Sequence, residues 1–357
     1  MLSETDHLTR IAAFAAEDVA PAAPSWAMGA SPTAALFEKA GALGLMGLDT
    51  PVAHGGSDRG FGFKAKVAEL LAGADFGFAM SVINTQNVAV RLAISAPPDL
   101  RDRYLPDILA GRISACTALT EPGAGSDFSA VTTRARRGAQ GWILTGEKAW
   151  IINGRRATLA MVFAQCGAGG AGIGGFLTDL SAPGVARCAI DSGLSQTSIG
   201  TGGFTLDDVA LTDDHLLLPP GPAFKAVMGE VNGARAYVAA MCCGMLAAAV
   251  AEAAAYGARR HTFGQPLAGH QAWRLKLAQA QTDLAAARAL TAEAARAIDA
   301  GGLVAADAQL LAAQAKVVAV GACQRHLPTL LHALGAEGLR PEHCAARHLG
   351  AVQMAAL

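Results

Sequence analysis

The chain has 357 residues, of which 52% are hydrophobic and 16% are charged, so it can form two or three domains with an unusually large apolar core. Its formal net charge is −1 and no long basic run occurs, which excludes the electrostatic signature of nucleic-acid binding. The first residues carry acids where a signal peptide carries Lys or Arg, and no uninterrupted apolar run of about 18 residues follows. We therefore predict a cytoplasmic protein without a membrane span.

The first third of the sequence has the spacing of helices. Apolar residues recur every three to four positions over residues 34–48 and again over 63–74. A half-buried strand would show alternating apolar and polar residues, and these segments do not show that pattern. We predict an N-terminal α-helical domain over residues 1–115.

The middle of the sequence changes to short β-prone segments separated by glycine. Such segments occupy residues 142–145, 158–166 and 204–211. This spacing predicts a middle domain over residues 116–218, built as a small antiparallel β-barrel or sandwich.

Alanine and leucine dominate after Pro219 and Pro220. Trp273, Leu277 and Leu284 fall on one helical stripe, and the neighbouring charged residues lie off it. Alanine has the highest helix propensity and lets helices approach closely. We predict a C-terminal four-helix bundle over residues 219–357, which makes the fold class α+β in the order helical, β, helical.

The seven cysteines are scattered and show no C-x-x-C spacing, so we expect reduced core thiols. Cys344 and His348 lie four residues apart beside His343, which is a possible spacing for metal ligands on one helical face. A matching second pair of ligands is not evident in the sequence. We therefore predict no metal site.

Two glycine-bearing segments carry the chemical signal. The first is T-A-L-T-E-P-G-A-G-S-D over residues 117–127, and the second is G-E-K-A-W-I-I-N-G over residues 146–154. Gly123 and Gly125 permit close backbone approach with free N–H groups, and Thr120 and Ser126 add hydroxyls that donate or accept. Taken alone, the first segment could equally be a surface turn, because these residue types dominate turns.

Together the two segments resemble the signature of the acyl-CoA dehydrogenase family, and the resemblance extends from about residue 34 to residue 357. It implies three domains and an FAD held between the β-domain loops and the C-terminal helices of a neighbouring subunit. By this resemblance Trp150 stacks on the flavin, although a core tryptophan of a β-barrel would fit the same position. The residues of the first loop that would contact the isoalloxazine or its side chain are Leu119, Thr120, Gly125 and Ser126.

Two further matches lie in the last third. Arg260, Phe263 and Gln271 fit the family's R-x-x-F-G…Q element, in which an arginine binds the FAD pyrophosphate across the subunit interface. His332 and Gly335 lie in a segment similar to the family's Q-x-L-G-G-x-G turn, with His332 in place of the usual glutamine. The resemblance therefore implies at least a homodimer, with a tetramer expected.

The expected catalytic residues depart from the family pattern. Arg235 matches the family's active-site arginine, and with Ser126 it would contact the substrate. The usual glutamate base would fall about two residues past Leu357, and the alternative position beside Arg235 is alanine. Glu230, one helical turn upstream, is the nearest carboxylate candidate. Ile152 stands where the family has a threonine or serine that donates to flavin N5.

We therefore predict an FAD-dependent oxidoreductase acting on an acyl thioester, bound to CoA or to a carrier protein, with oxygen-dependent chemistry like that of a monooxygenase or an oxidase. One alternative is a conventional acyl-CoA dehydrogenase, with Glu230 as base or with an incomplete C-terminus, that passes electrons to an electron-transfer flavoprotein. Another is a non-catalytic paralogue that binds a partner.

Two other motifs were weighed against this prediction. Residues 167–172 satisfy G-x-G-x-x-G, but no helix follows, so we expect a hairpin loop and no nicotinamide site. Ser126 lacks the G-x-S-x-G elbow of a hydrolase.

Overall fold

The computed structural model describes residues 3–190, 194 and 197–357. The N-terminal part is helical, as predicted, and a single π-helical turn joins its first two helices. Its helices are α1 (Glu4–Phe14), α2 (Ala20–Ala27), α3 (Ala34–Ala42), α4 (Phe61–Ala74), α5 (Phe76–Ser95) and α6 (Pro98–Leu109).

Helix α5 is the central helix of this part because almost every face of it is buried. Asp75 caps its first turn, accepting a hydrogen bond from the Phe78 backbone N–H at 2.7 Å. The Ser198 hydroxyl donates to the same carboxylate oxygen at 2.6 Å, which ties the start of α5 to the β domain. The helix ends at Ser95, just before Pro97, as expected for a chain that cannot continue a helix into proline.

The middle part is one eight-stranded sheet with the order β6-β7-β3-β2-β4-β5-β8, and β1 pairs with β4. Most pairs are antiparallel, as predicted, but β1 and β2 pair in parallel with β4. The parallel pairing arises because a long loop and the β2–β3 hairpin intervene before the chain returns as β4. The strands are β1 (Ala115–Ala118), β2 (Arg134–Gly138), β3 (Gly141–Ile151), β4 (Leu159–Gln165), β5 (Ile173–Asp179), β6 (Val185–Ala189), β7 (Gly202–Leu211) and β8 (Leu216–Leu218).

The C-terminal part is a four-helix bundle, as predicted, with a small hairpin of β9 (His261–Thr262) and β10 (Gln265–Pro266) after its first helix. Trp273, Leu277 and Leu284 are all buried, which confirms the apolar stripe. Helix α7 is long and apolar enough to cross a membrane, but 67% of its most apolar window is buried inside the protein. The helices are α7 (Pro222–Arg259), α8 (Gln271–Gly301), α9 (Ala306–Ala333) and α10 (Cys344–Ala356).

The cysteine prediction was partly wrong. All seven cysteines are free thiols, and five of them are buried. Cys188, however, is exposed on β6, because β6 is an edge strand of the sheet with a mostly exposed face. Cys166 is half-buried at the end of β4.

Helices α4 and α7 pack backbone against backbone, which joins the N-terminal helices to the bundle in one core. A Cβ atom at Gly244 would lie 2.0 Å from the Glu69 carbonyl oxygen, and one at Gly73 would lie 3.3 Å from the Gly244 carbonyl oxygen. Gly244 must therefore lack a side chain if the helices are to stay this close, whereas a Cβ atom at position 73 would require only a small shift of its neighbour. We propose that the domain divisions fall near residues 115 and 218, where helices and strands exchange.

We predict that Gly244→Ala lowers the free energy of unfolding by about 1–3 kcal/mol, because the new methyl group meets backbone that must move. Alanine's better helix propensity opposes this loss by only about 0.5–1 kcal/mol. Urea unfolding followed by circular dichroism measures the change. The matched control is Gly321→Ala in α9, where the Cβ atom would meet only the Arg325 guanidinium at 3.2 Å. Equal stability of the two variants would contradict the proposed close approach.

Candidate functional site

A cavity of about 680 Å³ lies between the sheet and helices α5, α7, α9 and α10. Pockets for organic cofactors and small ligands typically measure about 300–1,000 Å³, so the volume fits such a molecule. Its lining includes five of the residues predicted from the first and second loops, Thr120, Gly125, Ser126, Trp150 and Ile152. The other lining residues are Phe76, Met80, Ile199, Thr201, Val238, Lys316, Met354, Ala355 and Leu357.

Trp150 lies in the wall of this cavity with 57% of its side chain exposed. Its φ is +60°, and the register of β3 against β7 shifts between Lys148 and Ile151. A bulge of this kind re-aims a side chain at a strand end. The indole is therefore presented to open space, and the alternative of a buried barrel tryptophan is wrong; the buried tryptophan of this sheet is Trp142.

Asn153 anchors the turn that follows Trp150, and the sequence analysis did not single it out. Its side chain is fully buried, and its amide donates to the Ser81 carbonyl at 2.9 Å and to the Ala115 carbonyl at 3.1 Å. The Ser81 hydroxyl donates to the Asn153 amide oxygen. The side chain thus ties β1, β3 and α5 together beside the cavity. The sequence feature that could have indicated Asn153 is its position near the end of the second glycine segment.

The first loop is held by a buried ion pair that the sequence analysis also missed. Lys148 is fully buried, and its ammonium group donates to Glu121 at 2.8 Å and to the Leu119 carbonyl at 3.1 Å. The Glu121 carboxylate also accepts from the backbone N–H groups of Thr132 and Thr133, at 2.6 and 2.9 Å. Leu119 itself does not line the cavity; it packs partly buried behind the loop.

The electrostatics of this pair favour the ionised form of Glu121. Burial alone would raise its pKa, but the charge and hydrogen bond of Lys148 and the hydrogen bonds from Thr133 and Thr132 lower the pKa to about 2. Burial lowers the pKa of Lys148 to about 8, against the opposing attraction of Glu121. Both groups are therefore charged at neutral pH, and the loop is fixed by a charge-assisted bond.

One cation lies in the bundle wall of the cavity, and a second lies near it. Lys316 of α9 is in the wall, and both burial and the nearby charge of Arg235 lower its pKa. The Arg235 guanidinium donates to the Asn232 side chain at 2.6 Å. Among the described residues that line the cavity, none has a carboxylate side chain. Lys316 is therefore the one charged side chain among the described residues that line the cavity.

Glu230 lies elsewhere. Its carboxylate accepts from the Arg91 guanidinium at 2.8 Å, and both line a separate cleft of about 210 Å³ between α4, α5 and α7. The structure therefore does not bring this catalytic candidate to the wall of the cavity beside Trp150.

The residues expected to reach a neighbour's cofactor gather in a third place. Arg260, His332 and Gly335 line an open pocket of about 520 Å³ that shares no lining residue with the Trp150 cavity. Phe263 lies at the tip of the β9–β10 hairpin with 96% of its side chain exposed, and Gln271 is the exposed first residue of α8. Three of the five predicted residues thus line this pocket, and Phe263 and Gln271 are not among its lining residues.

We predict that Lys148→Met lowers the free energy of unfolding by about 3–5 kcal/mol, because it leaves the Glu121 carboxylate buried without its cation. The control is Lys39→Met, since Lys39 pairs with Asp18 on the surface, is 62% exposed and should cost about 0–1 kcal/mol. Denaturant unfolding measures both. Similar losses of unfolding free energy in the two variants would show that the buried ion pair matters no more to stability than the exposed one.

The Lys148→Met variant also tests how the free energy of unfolding depends on pH. A carboxylate whose folded-state pKa is lowered stabilises the protein above its ordinary pKa, and that stability is lost as pH falls. For Glu121 the window runs from the ordinary value of 4.5 down to about 2. In Lys148→Met the acid-induced loss in this window should be smaller than in the parent protein, and an equal loss would contradict the assignment.

Comparison with known proteins identifies the fold. The chain matches the models of the acyl-CoA dehydrogenase N-terminal, middle and C-terminal domains over residues 4–112, 116–209 and 224–357. It is 32% identical over 266 residues to the short-chain specific acyl-CoA dehydrogenases of Bos taurus and Homo sapiens. That match covers 73% of this chain and 64% of each relative, so it spans less than two thirds of their length.

Solved structures agree over almost the whole chain. The butyryl-CoA dehydrogenase of Megasphaera elsdenii is 27% identical, with a TM-score of 0.90 over 99% of this chain and 94% of that one. A glutaryl-CoA dehydrogenase of Mycobacterium smegmatis, in complex with FADH2, is 26% identical, with a TM-score of 0.91 over 99% and 90%. The resemblance seen in the sequence is confirmed, and the chain belongs to the acyl-CoA dehydrogenase family.

Proposed function

We propose that the protein is an FAD-dependent oxidoreductase that oxidises an acyl thioester, bound to CoA or a carrier protein, and passes the electrons to dioxygen in the cytoplasm. The observation that carries this proposal is the cavity beside Trp150. Its lining combines an exposed indole, the hydroxyls of Thr120 and Ser126 and the cation of Lys316. Family membership supports the cofactor and the substrate class.

The residues present fit a flavin. Cβ atoms built at Gly123 and Gly125 would meet nothing within 4 Å, so the loop leaves open space for a ligand to approach its backbone. Trp150 offers a flat apolar face for stacking. Bound FAD would supply the two-electron acceptor, and we place Thr120, Gly125, Ser126, Trp150 and Ile152 around its ring end, with Leu119 behind them.

The second pocket would complete the cofactor site of another copy. Arg260 lies just past the end of α7, where its guanidinium can bind a pyrophosphate, and Phe263 extends from the hairpin. Because these residues lie outside the Trp150 cavity, one chain cannot supply both groups to one FAD. We therefore propose a homodimer as the minimum active unit, with a tetramer as the expected assembly.

The wall of the cavity supports the oxygen-dependent branch of the proposal. Ile152 contributes an apolar side chain where a hydroxyl would donate a hydrogen bond, and Ile199, Val238 and Met80 surround it with further apolar surface. Lys316 in the wall, with Arg235 near it, would stabilise negative charge on the carbonyl oxygen of the thioester.

The reaction is tested by anaerobic mixing of the FAD-loaded protein with acyl-CoA thioesters, followed by admission of air. We expect the flavin absorbance to bleach and then return as oxygen is consumed. Bleaching that persists in air but is reversed by an electron-transfer flavoprotein would overturn the oxygen branch in favour of a conventional dehydrogenase. A purified protein that stays colourless with FAD would overturn the whole proposal in favour of the partner-binding alternative.

We predict that Ile152→Thr slows reoxidation by oxygen roughly fivefold, the effect of one added hydrogen bond of about 1 kcal/mol on the reduced cofactor. The matched control is Ile152→Val, which keeps a β-branched apolar side chain and should reoxidise at the parent rate. Stopped-flow absorbance measures both rates. Equal rates in the threonine and valine variants would show that Ile152 does not govern the reaction with oxygen.

We also predict that Trp150→Ala raises the dissociation constant of FAD at least about tenfold, equivalent to about 1.4 kcal/mol, through lost stacking area. Trp150→Phe keeps an aromatic face and should bind within about threefold of the parent. Because Trp150 is 57% exposed, both apoproteins should melt at the parent temperature. Isothermal titration with FAD measures the affinity, and tight binding by the alanine variant would contradict the stacking role.

A further inference from the structure

The cavity beside Trp150 and the cleft that contains Glu230 lie along the same two helices. On α5, Met80 lines the cavity, whereas Asn87 and Arg91, seven and eleven residues later, line the cleft. Seven residues of helix rise about 10 Å. On α7, Val238 lines the cavity and Glu230 the cleft. The cleft therefore lies about 10 Å farther along the groove between α5 and α7 than the cavity does.

The cleft has charged walls. Lys64 is only 4% exposed, and its ammonium group donates to Asp49 at 2.6 Å and to the Asn87 amide oxygen at 3.0 Å. Arg91 pairs with Glu230 across the opposite side at 2.8 Å. The remaining walls are Phe61, Val90, Ile94, Gly233, Tyr237 and Leu303.

Several polar groups of the cleft have hydrogen-bonding capacity to spare. Among the described residues, one carboxylate oxygen of Asp49 and the Nε of Arg91 are buried without a partner. Burial raises the pKa of Tyr237 to about 12, so its phenol stays protonated at neutral pH. Each buried donor or acceptor left without a partner costs about 1–3 kcal/mol.

This lining decides what the cleft can bind. An apolar chain end would displace water from two ion pairs without forming hydrogen bonds to them, and this desolvation is costly for buried charges. An ionic end group would also be disfavoured, because the two cations and two carboxylates already neutralise each other. A neutral group that both donates and accepts hydrogen bonds meets neither penalty.

We propose that this cleft receives the far end of the substrate's acyl group and selects acyl chains that end in a neutral polar group, such as a hydroxyl or an amide. The inference rests on the proposed function and names the substrate class of that same site. It gives the Arg91–Glu230 pair a role in specificity, with no part in proton transfer. The pair of Lys64 and Asp49 would hold the other wall.

The test compares three CoA thioesters of similar chain length on the FAD-loaded protein: omega-hydroxyoctanoyl-CoA, nonanoyl-CoA, and suberyl-CoA with its terminal carboxylate. The first two differ only by a hydroxyl in place of a methyl group. We expect kcat/KM for the hydroxyl compound to exceed that of either other thioester by about tenfold or more, because a site with unpaired buried polar groups rejects the analogue that lacks a partner.

The variant Arg91→Met combined with Glu230→Leu removes both members of one ion pair, so no lone buried charge remains. We expect the ratio of kcat/KM for the hydroxyl compound over nonanoyl-CoA to fall at least about tenfold in this variant, to near one or below. The variant Asn87→Leu removes a polar group one turn away on α5 that contacts Lys64 and not Arg91, and it should lower the same ratio.

The outcomes separate the two proposals. If nonanoyl-CoA or suberyl-CoA reduces the flavin of the parent protein at least as efficiently as the hydroxyl compound, this inference is wrong and the proposed function stands. An unchanged ratio in a folded double variant would also overturn it. If none of the thioesters reduces the flavin, the proposed function itself fails, and the cleft inference falls with it.

Discussion

The buried contact between Lys148 and Glu121 is the constraint on which the candidate site depends. Removing an ammonium group from water costs several kcal/mol, and the cost is offset only if its partner's remaining lone pairs are also satisfied. Here they are, because the Glu121 carboxylate accepts from backbone and hydroxyl groups of Thr132 and Thr133 as well. The pair therefore fixes three chain segments at once, namely the first loop, the start of β2 and the strand β3.

The ion pair holds the base of the first glycine loop in place and leaves the tip of the loop open. Glu121 and Ala124 exchange backbone hydrogen bonds at 2.9 and 3.2 Å, which closes a tight turn between them. Ser126 lies just beyond this turn in the cavity wall, and Thr120 just before it. A site held this way loses little conformational entropy on binding, because its first loop is already ordered by contacts behind it.

Much of the fold could be predicted from the sequence. The helical, β, helical order follows from hydrophobic period and composition alone, and five predicted residues do share one cavity. The glycine segments and the tryptophan could be recognised because the residues of each loop are neighbours in the sequence. The ion pair of Lys148 and Glu121 could not be predicted in the same way, because its members lie 27 residues apart and look like ordinary surface charges until the strands pair.

Glu230 illustrates the same limit. One helical turn from Arg235, it is a natural candidate for a base, yet neighbouring residues of a helix face different directions. Its side chain meets Arg91 from α5, a partner 139 positions away in the sequence. The parallel pairing of β1 with β4 is a second example, since strand period carries no information about which strand lies beside which.

The close approach of α4 and α7 links the cofactor site to the cleft. Glycines at positions 73 and 244 bring the two backbones together, and α7 then presents Tyr237 and Glu230 toward α4 and α5 on one side. On another side the same helix places Val238 in the cavity and Arg235 near Lys316. One helix therefore contributes Val238 to the cavity beside Trp150, and Tyr237 and Glu230 to the cleft. A substitution that shifts α7 should disturb chemistry and chain-end selection together, whereas a change confined to Arg91 or Asn87 should alter selection alone.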